Sequence, residues 1–166
     1  QTHPALRGKD VPMVFQTYAE GEFLKAEAAI RGWISSSAEE HYNKGVTAAM
    51  KMLKQLYPAS TAITDAEISA YLAGPGAYDA SKGWEMAMNE YWKATFLNEY
   101  EAYANWRRTG YPTLTPTKHP NSVSNNQIFR RMIYPGGESA TNGDNYAAAV
   151  ARQGADDFTT RMWWDK

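Results

Sequence analysis

The sequence predicts an all-α fold: paired helices followed by a long irregular cap. Three observations carry that expectation. Apolar residues recur at steps of three and four through much of residues 14–108, the spacing that gathers them on one helix face. Capping signatures punctuate this stretch at Ser36 or Ser37 and again at Thr64. Beyond Pro112 the periodicity gives way to Pro, Asn, Ser and Gly.

Residues Gln1 to Pro12, with two prolines and a glycine, read as an extended lead-in. The first helix is expected from about Val14 to Trp33, with Ala19, Phe23, Ala26, Ile30 and Trp33 as its apolar stripe. Alanines at 26, 28 and 29 offer room for a close neighbour, and Gly32 with Ser35-Ser36-Ser37 ends the helix. The second helix starts from a Ser36 or Ser37 N-cap, with Glu39 or Glu40 three residues on. It buries Tyr42, Val46, Ala49, Leu53 and Leu56, and Pro58 closes it. So short a link favours an antiparallel pair.

Thr64-Asp65-Ala66-Glu67 is a second capping box, opening a short helix to about Ala73 with Ile68, Tyr71 and Leu72 inward. Gly74-Pro75-Gly76 breaks it. One long helix then runs from about Ser81 to Arg108, with Trp84, Met88, Tyr91, Trp92, Phe96, Tyr100 and Tyr103 crowding two of its sides. An arc that wide is expected to be packed on more than one side. Thr109, Gly110 and Pro112 stop it. In the loop-rich part, 109–166, Ile128 to Tyr134 reads as a strand, Pro135-Gly136-Gly137 as a turn, and Asp144 to Val150 as a brief helix.

Composition narrows the functional classes. The net charge of −1 gives no electrostatic case for nucleic acid or an anionic membrane surface. The absence of cysteine removes disulfides, thiolate metal sites and thiol catalysis. No apolar run approaches the roughly 20 residues of a membrane-spanning helix. The chain holds 6 Trp, 11 Tyr and 5 Phe, more rings than a core of this size needs. The surplus fits a ligand-stacking surface or a large interface.

No catalytic constellation emerges. Glu20, Glu22 and Glu27 on one helix, and Glu99 and Glu101 on another, could pair as glycosidase carboxylates; solvated or capping roles are the plainer reading. His3, His41 and His119 are scattered and read as surface histidines, without metal spacing. Asn142-Gly143-Asp144-Asn145 offers oxygens to calcium, but its spacing suits a turn better. Ser139 sits in no nucleophile elbow. Trp163-Trp164 is the best aromatic candidate for ligand stacking; adjacent rings in an extended piece point oppositely, and a structural role is the plainer one. Arg107 and Arg108 cannot share a helix face, being about 100° apart. One suits the last helical carbonyls and the other a carboxylate clamp; a clamp on an anionic ligand is the alternative.

The sequence around these arginines, EAYANWRRTGYPTLTP, resembles the C-terminal region of SusD/RagB-like proteins of the second SusD-like group, surface lipoproteins of the Bacteroidetes outer membrane. The likeness is carried by Glu101, Ala102, Tyr103, Trp106, Arg107, Arg108, Thr109, Gly110, Tyr111 and Pro112. It continues in IFRRMIYPGGESATNGDNY, Ile128 to Tyr146, and in TTRMWWDK, Thr159 to Lys166; upstream, Tyr18-Ala19-Glu20 and the helix to Trp33 resemble the family's penultimate helical pair. Where the family usually shows Gln-Lys-Trp, this chain has Glu90-Tyr91-Trp92, which keeps the tryptophan and its packing role.

The resemblance implies tetratricopeptide-like helix pairs at about 14–108 under a cap at 109–166, all within the C-terminal part of one SusD-like domain. It implies nutrient capture without chemistry or cofactor: an oligosaccharide, or in some members an oligopeptide, held beneath a lid on a SusC-like TonB-dependent transporter. It implies the extracellular face of the outer membrane, with a lipid anchor on an N-terminal part that a chain beginning at Gln1 lacks. It assigns no catalytic, metal-binding or ligand-binding residue here. A helical-repeat scaffold for a protein partner is the other reading.

Overall fold

The structure, a computed structural model, describes residues 9–57 and 62–165. The expectations placed on residues 1–8, His3 among them, and on Pro58 lie outside that range. The described residues contain seven α-helices: α1 (Tyr18–Ile30), α2 (Ala38–Leu56), α3 (Asp65–Ala73), α4 (Gly83–Ala94), α5 (Glu99–Thr109), α6 (Glu138–Thr141) and α7 (Gly143–Gln153). The chain divides into two compact units, Gln1–Pro112 and Thr113–Lys166.

In the first unit α1 pairs with α2, and α4 packs against both. α1 begins at Tyr18 rather than near Val14, because Thr17 and Glu20 form a reciprocal capping box. Ser37 caps α2 through the Glu40 amide, and Thr64 with Glu67 caps α3, as their spacing implied. The core joins Phe23, Ala19 and Ala26 of α1, Tyr42 and Val46 of α2, and Ala87, Met88, Tyr91 and Ala94 of α4. Phe23 meets Tyr42 edge-on, ring centres 6.3 Å apart, and Tyr91 at 6.5 Å.

α1 and α2 approach each other closely at Gly45. A Cβ there would lie 2.7 Å from the Phe23 ring, so glycine is what lets that ring lie on the α2 backbone.

Two expectations in this unit are corrected. The stripe of α1 is shorter than its periodicity suggested: Ile30 and Trp33 are exposed, since the helix ends at Ile30 and the chain turns away. The long helix from Ser81 to Arg108 is two. The Thr95 hydroxyl donates back to Tyr91 O and Trp92 O, Leu97 takes a left-handed φ of 72°, and Asn98 restarts the helix by accepting the Glu101 amide. The elbow leaves Trp92, Phe96 and Tyr100 facing outward. The packing role expected of Trp92 falls instead on Met88 and Tyr91, while Glu90 is buried and accepts the Tyr71 hydroxyl at 2.7 Å.

In the second unit the expected strand at Ile128–Tyr134 does not form; the described residues contain no strand. One backbone bond, from Arg130 N to Phe158 O at 2.6 Å, reaches the later chain. Side chains do the rest. Arg131 donates to Asp156 at 2.9 Å, and the Tyr134 amide reaches the same carboxylate. Arg130 and Arg161 both donate to the buried Asp165. The helix expected at Asp144–Val150 forms and is longer, as α7. Asn142 stands at its start, bonding Glu138 and Asn145, so the Asn142–Asn145 segment is a helix junction rather than a free turn.

Candidate functional site

The polar architecture of the first unit is built on the carboxylates of α1. Glu20, Glu22 and Glu27 are all buried, which corrects the solvated reading of the latter two. Burying a carboxylate is costly unless partners compensate, and each has them.

Glu27 is the centre of the largest cluster. Arg108 forks onto it with Nη1–Oε1 at 2.6 Å and Nη2–Oε2 at 2.8 Å, the bidentate geometry a guanidinium offers and an ammonium does not. Arg31, one turn along α1, donates from Nε to Oε1 at 2.9 Å. Arg108 also donates to Asn105 at 2.9 Å, a residue on its own helix face. Of the two adjacent arginines, Arg108 is therefore the carboxylate clamp, tying α5 to α1 across 81 positions. Arg107, about 100° round the helix, lies over the Tyr103 ring with its guanidinium carbon 4.4 Å from the centre. α5 ends at Gly110, φ 79°.

Two tryptophans flank the cluster. Arg31 lies 4.6 Å from the centre of the Trp84 ring and 5.2 Å from that of Trp33. Arg108 stands 6.0 Å from Trp84 on the same cluster.

Glu22 takes a different set of partners. Lys25 donates to it at 2.8 Å and His41 at 2.7 Å, and His41 also meets Ser36 Oγ at 2.8 Å. His41 is thus an α1–α2 tie, not a free surface histidine; His119 does stay exposed. Burial works against the Glu22 charge, yet the bonds from Lys25, His41 and Tyr18 outweigh it and hold the carboxyl down at about 2. Glu20 moves the opposite way: burial raises it, its Thr17 bonds only partly offset that, and the charge of Glu101 adds to the rise. Glu101 accepts the Tyr91 hydroxyl at 3.2 Å, so four of the five candidate carboxylates are divided among capping, clamping and bridging, and Glu99 is exposed.

The remaining aromatic candidates are split. Trp106 is buried in α5 with Tyr103 stacked 6.3 Å away. Trp163 is 80% exposed, contrary to a buried structural role, and Trp164 is half-exposed. Nothing in the sequence pattern separated Trp33 from the buried members of its stripe; the signal available was Gly32, which turns the chain just before it.

The geometry has counterparts among solved proteins. A chitin-binding protein matches with 37% identity and a TM-score of 0.85, over 98% of this chain and 36% of its own. A Bacteroidetes SusD-like protein, AC2a, matches with 34% identity and a TM-score of 0.87, over 98% and 32%. A SusD homologue from Bacteroides fragilis matches with 32% identity and a TM-score of 0.78, over 93% and 36%. The chain spans about a third of the length of these structures. No curated protein matches it significantly. The family model described as starch-binding and associating with the outer membrane matches residues 2–135, which takes in every helix of the first unit and the Glu27–Arg108 clamp that closes it. By that match, and by helical architecture shared with the solved homologues, this chain belongs to the SusD-like family.

Proposed function

We propose that this chain serves glycan capture at the outer cell surface, without chemistry of its own. The observation that carries the reading is the 37% identity to a chitin-binding protein over 98% of the chain, within a family described as starch-binding. The site chemistry supports it. Glu22 is held ionised by Lys25 and His41, and Glu27 is clamped by Arg108 and Arg31, so both carboxylates are engaged in tying helices together.

In this reading the chain is the C-terminal part of a SusD-like protein. Its helix pairs and loop-rich cap belong to a larger domain, and Phe96 and Tyr100 are exposed on the helices. The whole acts as a lid on a SusC-like TonB-dependent transporter at the extracellular face of the outer membrane. Among the described residues no helix is long and apolar enough to cross a membrane.

Calorimetric titration with chitohexaose and maltoheptaose tests this, alongside product analysis after long incubation. Saturable binding with intact oligosaccharide is expected. Cleavage would make the chain a hydrolase, and binding of peptides but neither sugar would place it with oligopeptide-capturing members.

A further inference from the structure

Where α1 gives way to α2, three side chains meet in a way that tying helices together does not require. His41 stands in the middle. Its Nδ1 lies 2.7 Å from Glu22 Oε2 and its Nε2 lies 2.8 Å from Ser36 Oγ. Hydroxyl, imidazole and carboxylate in that order, each within hydrogen-bond reach of the next, is the arrangement that activates a serine. Such a site is recognised by geometry and roles, not by chain order. Glu22 is 19 positions from His41, so no spacing announces it.

Charge sets the direction of these bonds. Glu22 is 2% exposed and ionised, and an ionised carboxylate only accepts. Nδ1 of His41 therefore carries the hydrogen, and in the neutral ring Nε2 is left to accept from the Ser36 hydroxyl. Lys25 holds the other carboxylate oxygen, Oε1, at 2.8 Å, and so anchors Glu22 without displacing His41. Beside the serine, α2 opens. Its cap gives Ser37 Oγ to the Glu40 amide, and Ser37 O accepts the His41 amide. The amides of Ala38 and Glu39, two and three residues after Ser36, have no acceptor within the helix. Free donors at the positive end of a helix suit the oxyanion formed when a hydroxyl attacks a carbonyl. Ser36 itself is exposed on the link, so it suits a short acyl group that needs no enclosing apolar pocket.

We propose that Ser36, His41 and Glu22 form an acyl-transfer site that hydrolyses esters of short carboxylic acids. Ser36 Oγ bonds to the ester carbonyl carbon while its proton passes to His41 Nε2. The bond from that carbon to the alcohol oxygen breaks, and His41 returns the proton to the departing alcohol. Water then attacks the acyl-serine with His41 as base, releasing the acid and restoring Ser36. Glu22 is a positioning residue that fixes the tautomer of His41. The inference goes beyond the capture reading and does not rest on it: that reading gives the chain no chemistry, and this one adds ester hydrolysis while leaving glycosidic bonds intact.

Hydrolysis of p-nitrophenyl acetate by the chain tests it, together with labelling by a fluorophosphonate read by intact mass and peptide mapping. Ser36→Ala and His41→Gln should each lower the steady-state rate at least tenfold, and His119→Ala, which removes an exposed histidine elsewhere, should leave it unchanged. The fluorophosphonate should add once, at Ser36. A rate that survives Ser36→Ala but falls in His41→Gln would mean that imidazole acts alone, and overturns the site. An unlabelled Ser36 in the folded parent overturns it too, whether or not the variants fold. The nitrogen shifts of the His41 ring should show Nδ1 protonated, and Glu22→Gln should relax that preference; the opposite tautomer, or an unchanged preference in Glu22→Gln, removes Glu22 from the site and overturns the proposal as stated. None of these outcomes touches the capture reading, which stands or falls on sugar binding.

Discussion

The two units hold themselves together by different means. In the first, Phe23, Tyr42, Val46, Met88 and Tyr91 form a continuous apolar core, and the charged groups tie helices at its margin. In the second, the innermost contacts are ionic: Asp165 with Arg130 and Arg161, and Asp156 with Arg131. The apolar residues of the same segment, Phe129, Met132 and Ile133, face out. A unit of the first kind draws on the hydrophobic effect, which is non-directional and scales with buried area. A unit of the second kind draws on pairs whose Coulombic gain is largely consumed by desolvation. The second unit is therefore specified in geometry but weakly stabilised.

The contrast can be broken most sharply from the apolar side. Phe23→Ala removes the ring at the centre of the first core and should cost about 3–5 kcal/mol by chemical denaturation. A loss below about 1 kcal/mol would mean that the α1–α2–α4 core is not the main source of stability. In the second unit, Asp165→Asn leaves two arginines facing a neutral amide. It should cost about 3 kcal/mol, read as faster hydrogen exchange at residues 128–165. Equal deprotection of both units would contradict their separate footing.

Acid sharpens the comparison within the first unit. Glu22 has a folded pKa held to about 2, below its ordinary 4.5, so its contribution is full above the unfolded value. It is lost as pH falls from about 5 toward 2, a decline of up to roughly 3 kcal/mol. Glu20 has the opposite sign: its raised folded pKa makes protonation favour the folded chain, offsetting part of that decline. Glu22→Gln should flatten the acid limb of the stability profile, and Glu20→Gln should steepen it. An unchanged limb in both would remove these carboxylates from the account.

Arg108→Lys keeps the charge and loses the fork on Glu27, for an expected cost of about 2 kcal/mol. Sugar affinity measured on the folded variant should hold; lost affinity with unchanged melting would make Arg108 a ligand clamp. The smallest effect should be a gain. Leu97 has a positive φ that suits glycine better, and Leu97→Gly should stabilise the elbow by about 1 kcal/mol. A destabilised variant would show that the Leu97 side chain packs more usefully than its exposure suggests.

Much of this fold was legible because caps are local. Ser37 with Glu40 and Thr64 with Glu67 announce α2 and α3 within four residues. The same grammar was present and missed twice. Thr17-Tyr18-Ala19-Glu20 marks the start of α1, and Asn98 with Glu101 marks the restart after the elbow. Apolar periodicity running through Thr95–Leu97 masked the second. The strand at Ile128–Tyr134 was misread because a short apolar-rich run names no ladder partner, and the described residues supply none. The arginine clamp was legible as a type of contact. Its carboxylate was not, since a partner 81 residues away is fixed by tertiary packing rather than by spacing.

That separation bears on the order in which the molecule assembles. Glu22 finds Lys25 three residues on and His41 at the next helix, so its charge is satisfied as soon as α1 meets α2. Glu27 waits for Arg108, and closing so long a loop is entropically later than closing the α1–α2 link. Until then Arg31, one turn away, is the group that can hold the carboxylate. Arg31 stays bonded to the same carboxylate in the finished fold. Arg108, arriving last, should govern how fast the finished molecule comes apart more than how fast it forms.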